Sequence, residues 1–412
     1  MNFDEQLQKY ADVILKSGLN LRAGQRLWLR VDANLPEFPA ESLKLVYTII
    51  ERAYGHGASY VHVLWRDQSA LLAHLLHAPN FDEFATWDVE GVLGFIEKGD
   101  AYLTLGGRDP DLLSRVPPER MRDYQMKSAP FTKPVNESIS AAAINWLYVG
   151  VPVAGWARRV FPNRPDADAI NELWQAIFEV SRVNEPDPAK AWTQHIEQLA
   201  RRRSYLTAKQ YTALRYRAPG TDLTVGLPAG HVWQGGRLTA KNGITFTPNI
   251  PTEEVFTMPH RLKVNGTVRA SMPLVTTDVI EGLSFTFKDG VVVEARADRN
   301  QALIENILSI DEGARMLGEA ALVPHSSPIG KFGLFYDTLY DENASNHLAI
   351  GSAYRSTLEG GEMMDAESFR AEGGNTSMVH VDFMIGSAAM DVDGVRHDGT
   401  TEPVMRAGEW AF

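Results

Sequence analysis

The sequence predicts an α/β protein in two parts. Residues 1–210 read as an N-terminal α/β layered domain with a mainly parallel sheet. Residues 211–412 read as a C-terminal β-rich α+β domain. Three observations carry this expectation. The chain has 412 residues, enough for two or three domains at roughly 100–200 residues each. Its first half alternates segments of helical and strand periodicity. Near residue 215 short strand-like segments bounded by Gly, Pro and Asn take over, which places a boundary at 205–215.

Each element has its own reason. Phe3, Leu7, Tyr10, Ala11, Ile14 and Leu15 recur at three- and four-residue spacing, as on an amphipathic helix. Residues 26–31 (RLWLRV) read as a strand, 43–54 as a helix stopped by Gly55 and Gly57, and 60–65 (YVHVLW) as a second strand. That order is a β-α-β unit, whose crossover helix dictates parallel pairing. Residues 101–105 (AYLTL) and 146–151 (WLYVGV) supply further strands of the same sheet. Helical patterns follow over 166–183 and 189–214, separated by Pro186 and Pro188. Beyond residue 215 the strand-like pieces are TDLTVGL, GITFTPNI, GTVRASM, GLSFTF and GVVVEA. Phe285–Lys288 and Val291–Ala295 flank Asp289-Gly290, a strong short-range hairpin signal. One helical pattern, 300–322, interrupts this half, and the last ninety residues return to strand and loop signals.

Composition excludes several function classes. With zero cysteines there is no disulfide framework, thiolate metal site or cysteine nucleophile, so any metal must be held by His, Asp, Glu, Tyr or backbone oxygen. The formal charge of −12 argues against a nucleic-acid partner, which would want a basic face. The single basic cluster, Arg201-Arg202-Arg203, reads as a solvated helix face. The N-terminus carries acids and no apolar core of a signal peptide. The longest apolar stretch, 141–157, is interrupted by Asn145, Gly150, Pro152 and Gly155 and is short for a membrane span. No membrane partner and a cytoplasmic location are therefore expected. H-E-x-x-H, G-x-S-x-G and G-x-x-x-x-G-K-[ST] are all absent.

Four clusters in the C-terminal half hold ionisable residues among apolar neighbours. In PNIPTEEVF, Glu253 and Glu254 are adjacent, and on an extended chain only one of them can easily aim into a given site. Taken alone the pair also reads as a solvated acidic turn. Glu319 stands in a small, apolar stretch (RMLGEAALVP) that reads as helical; it lies either on the outer face or buried with a partner. DENASNH, residues 341–347, is dense in oxygen and nitrogen ligands, ends in His347 and leads to Tyr354; a polar surface loop is the plain alternative. MVHVDFMI is apolar except for His380 and Asp382, which strand period puts on one face. An imidazole and a carboxylate projecting together from a hydrophobic strand are costly unless something binds them, and they are a usual divalent-metal pair. Together the clusters supply ligands enough for two divalent metals, the arrangement that activates water and polarises a carbonyl in many hydrolases.

The stretches NIPTEEVFT, MLGEAALVP, LYDENASNHLAIGSAY and MVHVDFMIGS, in this order, resemble the thermophilic metalloprotease family of metallo-aminopeptidases, and the likeness extends over essentially the whole chain. The resemblance implies a C-terminal domain carrying two divalent metal ions per subunit (Zn, Co, Mn or Mg). It implies the ligands Glu253, Glu319, His347, Tyr354, His380 and Asp382, with the first glutamate of the Glu253–Glu254 pair favoured. It also implies a homodimer whose N-terminal domains help to enclose the active site. The reaction implied is release of the N-terminal residue from short peptides with a free N-terminus. Glu319 would bridge the metals or shuttle a proton, and Tyr354 would ligate a metal or donate to the oxyanion. Two other functions remain open at the level of sequence: a non-catalytic small-molecule or peptide binder, and a binuclear amidohydrolase acting on a non-peptide amide.

Overall fold

A computed structural model describes residues 2–276 and 278–412. The chain divides into two compact units. One comprises Met1–Ile196 and Arg237–Pro251, the other Glu197–Gly236 and Thr252–Phe412.

The first unit opens with α1 (Phe3–Asp12), whose N-cap Asn2 and Glu5 exchange side-chain-to-backbone hydrogen bonds in a capping box. A wider π-helical turn, Val13–Gly18, continues it. There follow β1 (Arg26–Ala33), α2 (Ala40–Gly55), β2 (Tyr60–Asp67), α3 (Gln68–His77), α4 (Trp87–Ile96), β3 (Ala101–Gly107), α5 (Pro118–Ser140), β4 (Trp146–Gly150), α6 (Ala154–Val160), α7 (Asp166–Val180) and α8 (Pro188–Lys209). α2 buries Leu45, Val46, Ile49 and Ala53 on one stripe, the pattern of a helix that covers a sheet. The helix stops at Gly55 because the chain must turn. Gly57 has φ +88°, and a Cβ there would sit 2.9 Å from the Cβ of Ala23.

The division between units falls inside α8, upstream of the boundary expected at 205–215. The strands β5 (Ala213–Ala218) and β6 (Thr221–Gly226) belong to the second unit. The chain then returns to the first unit for β7 (Leu238–Thr239), β8 (Thr245–Phe246) and β9 (Asn249–Ile250). The principal sheet of this unit has the order β2-β1-β3-β4-β9 and is parallel throughout. Its last strand is supplied by this returning segment.

The second unit continues with β10 (Val255–Thr257), β11 (Val264–Arg269), β12 (Leu274–Val275), β13 (Val279–Ile280), β14 (Ser284–Lys288), β15 (Val291–Arg296), α9 (Gln301–Leu308), β16 (Leu317–Leu322), α10 (Thr338–Glu342), β17 (His347–Gly351), α11 (Ala366–Ala371), β18 (His380–Met384), β19 (Asp391–Val395), β20 (Thr401–Arg406) and β21 (Glu409–Trp410). An eight-stranded antiparallel sheet has the order β15-β14-β11-β6-β5-β19-β20-β21, and a four-stranded antiparallel sheet has the order β10-β16-β17-β18. The expected hairpin is present. Lys288 pairs with Val291 across Asp289 and Gly290, both with positive φ as a type I′ turn requires. A Cβ on Gly290 would meet the carbonyl oxygen of Arg261 at 1.8 Å.

One expectation is corrected. The helical pattern over 300–322 holds only as far as Leu308, and Leu317–Leu322 is a strand with every residue buried. A short run that is apolar on both faces has no period, so its sequence does not distinguish a strand from a buried helix. Among the described residues no helix is long and apolar enough to cross a membrane.

Candidate metal centre

The four-stranded sheet brings the clusters together. Directly paired residues of neighbouring strands share a face, and alternate residues along a strand share it too. Glu319 of β16 lies opposite Ala349 of β17, which lies opposite Asp382 of β18. His347 lies opposite Ala321 on one side and Met384 on the other. His380 joins this face by alternation with Asp382. Phe256 pairs with Ala321, so alternation along the extended chain places Glu254 on the same face. The methyl group of Ala349, between the carboxylates of Glu319 and Asp382, leaves the space there to whatever those carboxylates hold.

The side chains converge into two groups sharing one member. Glu254, Glu319 and His347 offer ligand atoms within 4.8 Å of one another, and so do Glu319, His380 and Asp382. His347 Nε2 lies 3.2 Å from Glu254 Oε2 and 3.4 Å from Glu319 Oε1. His380 Nε2 lies 3.7 Å from Glu319 Oε2 and 3.3 Å from Asp382 Oδ1. Glu319 therefore turns one oxygen toward each group. Both imidazoles are oriented from behind. His347 Nδ1 is 3.3 Å from the carbonyl of Ser345, and His380 Nδ1 is 2.7 Å from that of Ser352. A proton on Nδ1 donated to those carbonyls leaves the Nε2 lone pair facing the carboxylates, the tautomer a metal-ligating histidine uses.

The donor set fits divalent cations. Glu254 Oε2, His347 Nε2 and Asp382 Oδ1 are buried without a hydrogen-bond partner. Buried polar atoms without partners cost about 1–3 kcal/mol each, and a cation at the point they face removes that cost. Carboxylate oxygen with imidazole nitrogen is the chemistry of Zn, Co and Mn sites.

Electrostatics tell the same story. Burial works against charge on His347, yet Glu254, Glu319 and Asp382 hold it well above the usual histidine range. His380 is likewise opposed by burial but carried to about 10, chiefly by Asp382 and then Glu319. Burial, reinforced by the charges of Glu254 and Asp382, raises Glu319. Asp382 stays below the ordinary carboxylate range despite its burial, because His380 and His347 face it. Without a cation, protons on the imidazoles neutralise this acidic cluster.

Of the residues expected from sequence, Glu319, His347, His380 and Asp382 come together here. Tyr354 lies beside them, its ring 5.2 Å from that of His380 and 5.8 Å from that of Phe256. Desolvation, then the charges of Glu319, Asp382, Glu342 and Glu254, push its phenol well above the usual range. The group around His347 takes in Glu254 and not the expected Glu253. The Glu253 backbone N–H donates to Asn343 Oδ1 at 2.7 Å, and its carboxylate acts on the guanidinium of Arg202. Adjacent side chains of an extended segment point to opposite sides, and Glu254 is the one aimed at His347. Of the basic cluster, Arg201 is exposed and Arg202 is half-buried, with its guanidinium 4.9 Å from the ring centre of Trp410.

Sequence reasoning passed over one group. Glu342, the last residue of α10, is raised well above the carboxylate range by burial and by the charges of Glu254 and Asp382. It lies within the DENASNH run, but nothing in that run separates it from its neighbour Asp341.

The chain matches the thermophilic metalloprotease (M29) family model over residues 3–410. It is 44% identical to aminopeptidase T of Thermus thermophilus over 99% of each chain. It is 43% identical to aminopeptidase 2 of Geobacillus stearothermophilus over 100% of this chain and 98% of the other, and 39% identical to aminopeptidase AmpS of Bacillus subtilis over the full length of both. The solved structure of wild-type AmpT from Thermus thermophilus superposes with a TM-score of 0.93 at 43% identity, covering 100% of each chain.

Proposed function

This chain belongs to the thermophilic metalloprotease family and is a metallo-aminopeptidase, and we propose that it removes the N-terminal residue from short peptides at a centre of two divalent cations. The observation that carries the proposal is the sharing of Glu319 between two ligand groups. Glu254 and His347 would hold one cation, His380 and Asp382 the other, and Glu319 both. Divalent cations held there would supply Lewis acidity toward the scissile carbonyl and make a water acidic enough to act as a nucleophile near neutral pH.

The chain's own residues do the remainder. Ser345 and Ser352 fix the imidazoles through their carbonyls. Glu319, engaged by both groups, positions rather than transfers. Glu342, at the end of α10 and close enough to feel the charges of Glu254 and Asp382, is the carboxylate beside the cluster that would, when ionised, accept the proton of the attacking water and return it to the departing amine. Tyr354, its phenol held protonated, donates to the oxygen on which charge develops. On the same reading the enzyme works as a cytoplasmic homodimer, in keeping with its lack of cysteine and the resemblance of its motifs.

Elemental analysis combined with an amine test checks this reading. Two equivalents of Zn, Co or Mn per subunit, activity lost on exhaustive chelation and restored by metal, and hydrolysis of amino-acid arylamides but not of their N-acetyl forms are expected. Equal turnover of the acetylated substrates would make the chain a different amidohydrolase. Full activity without metal would sink the two-cation centre.

A further inference from the structure

A cavity of about 320 Å³ adjoins the centre within the second unit. Two of its walls are His380 and Asp382, and its other lining includes Leu274, Val275, Val381 and Met384. Thr338 and Asp341 add polar atoms, but an Asp341 oxygen already accepts the N–H of Phe335 at 2.6 Å. β12 and α10 both pack against β18, so the cavity is a recess walled on two sides. Its volume stands at the lower end of the ~300–1,000 Å³ typical of ligand pockets, which suits one side chain rather than a length of peptide.

We propose that this recess takes the side chain of the substrate's N-terminal residue and favours a large apolar one. The inference rests on the functional reading above. In an exopeptidase the scissile bond lies one residue from the amine, so a recess touching the centre receives a side chain that flanks that bond. A walled recess suits the terminal residue, beyond whose amine no chain continues, whereas the residue after the bond leads to a peptide that must reach solvent. The lining from Leu274, Val275, Val381 and Met384 rewards an aliphatic or aromatic group.

The test is kcat/KM of the metal-loaded enzyme for Leu-, Phe- and Ala-arylamides and for the dipeptide pairs Leu-Ala against Ala-Ala and Ala-Leu against Ala-Ala. A few methylenes in an apolar pocket are worth about 10–200-fold in kcat/KM. The wild type should therefore favour Leu over Ala at least tenfold, and Val275→Phe, which fills the recess, should cut that ratio at least tenfold. Val275→Ala, which enlarges it, should raise the ratio of Phe to Leu, and it serves if the larger variant fails to fold. Because the readout is a ratio, a general loss of active protein does not mimic it. Hydrolysis of free-amine substrates with no preference, ratios unmoved by either variant, or shifts confined to the second residue would overturn this inference while leaving the functional reading intact. Failure of every free-amine substrate would overturn both.

Discussion

Glu319→Gln separates the account from a merely structural role for the buried cluster. Glu319 presents Oε1 to the His347 group and Oε2 to the His380 group. Glutamine has nearly the same shape but only one acceptor oxygen, so one group gains an NH₂ where it had a carboxylate oxygen, and both lose the negative charge. A unit charge 4 Å from another is worth about 4 kcal/mol at an effective dielectric of about 20. Even half of that, removed from one cation, is about a thirtyfold loss of affinity. The variant should therefore retain at most one equivalent of metal after gel filtration and lose at least a thousandfold in kcat/KM on an amino-acid arylamide. Metal-free stability moves the other way. Glu319 is raised by burial and by the neighbouring charges of Glu254 and Asp382, so a neutral amide costs the apo fold little or relieves it. A cation at 100 times its Kd adds about 2.7 kcal/mol of stability, so thermal unfolding with and without metal should show a large shift in the wild type and a reduced one in the variant. Two retained equivalents with more than a tenth of wild-type activity would refute the reasoning.

Other predictions follow from the same geometry. Glu254→Gln should abolish tight binding at the His347 group, whereas Glu253→Gln should leave the metal content at two equivalents; the reverse outcome would restore Glu253 as the ligand. Tyr354→Phe should lower kcat by about 10²–10³ with metal content unchanged if the hydroxyl donates to the oxyanion, while loss of a metal equivalent would make it a ligand instead. The metal-free protein should lose stability as pH rises. His380 titrates near 10 in the folded chain against about 6.5 unfolded, so its contribution is complete below 6.5 and is lost as pH passes through about 10. The unfolding temperature of the apo form should therefore fall between pH 7 and 10 more steeply than that of the metal-loaded form, where His380 is a neutral ligand. Parallel slopes would contradict the coupling.

Much of this was legible in the sequence, for physical reasons that also mark where legibility ended. The parallel unit announces itself because strands buried on both faces alternate with helices of clear period. His380 and Asp382 stand out because two polar groups at a spacing of two interrupt an apolar strand. Glu319 was readable as a site residue but not as a strand residue: LGEAAL is buried on both faces and so has no period. The choice between Glu253 and Glu254 depends on how an extended segment is registered against β16, and long-range register leaves no local trace. The same holds for the return of Arg237–Pro251 to the first unit, where β9 pairs with β4. Glu342 entered the cluster only through the folding of α10 against β18.

Two cations sharing Glu319 would make a centre that can be seen directly. Diffraction from the metal-loaded protein, recorded on both sides of the metal's absorption edge, tests it most directly. Two anomalous peaks per subunit about 3.5–4 Å apart are expected, one among Glu254, His347 and Glu319 and the other among Glu319, His380 and Asp382. A single peak, or a pair bound without Glu319, would contradict it.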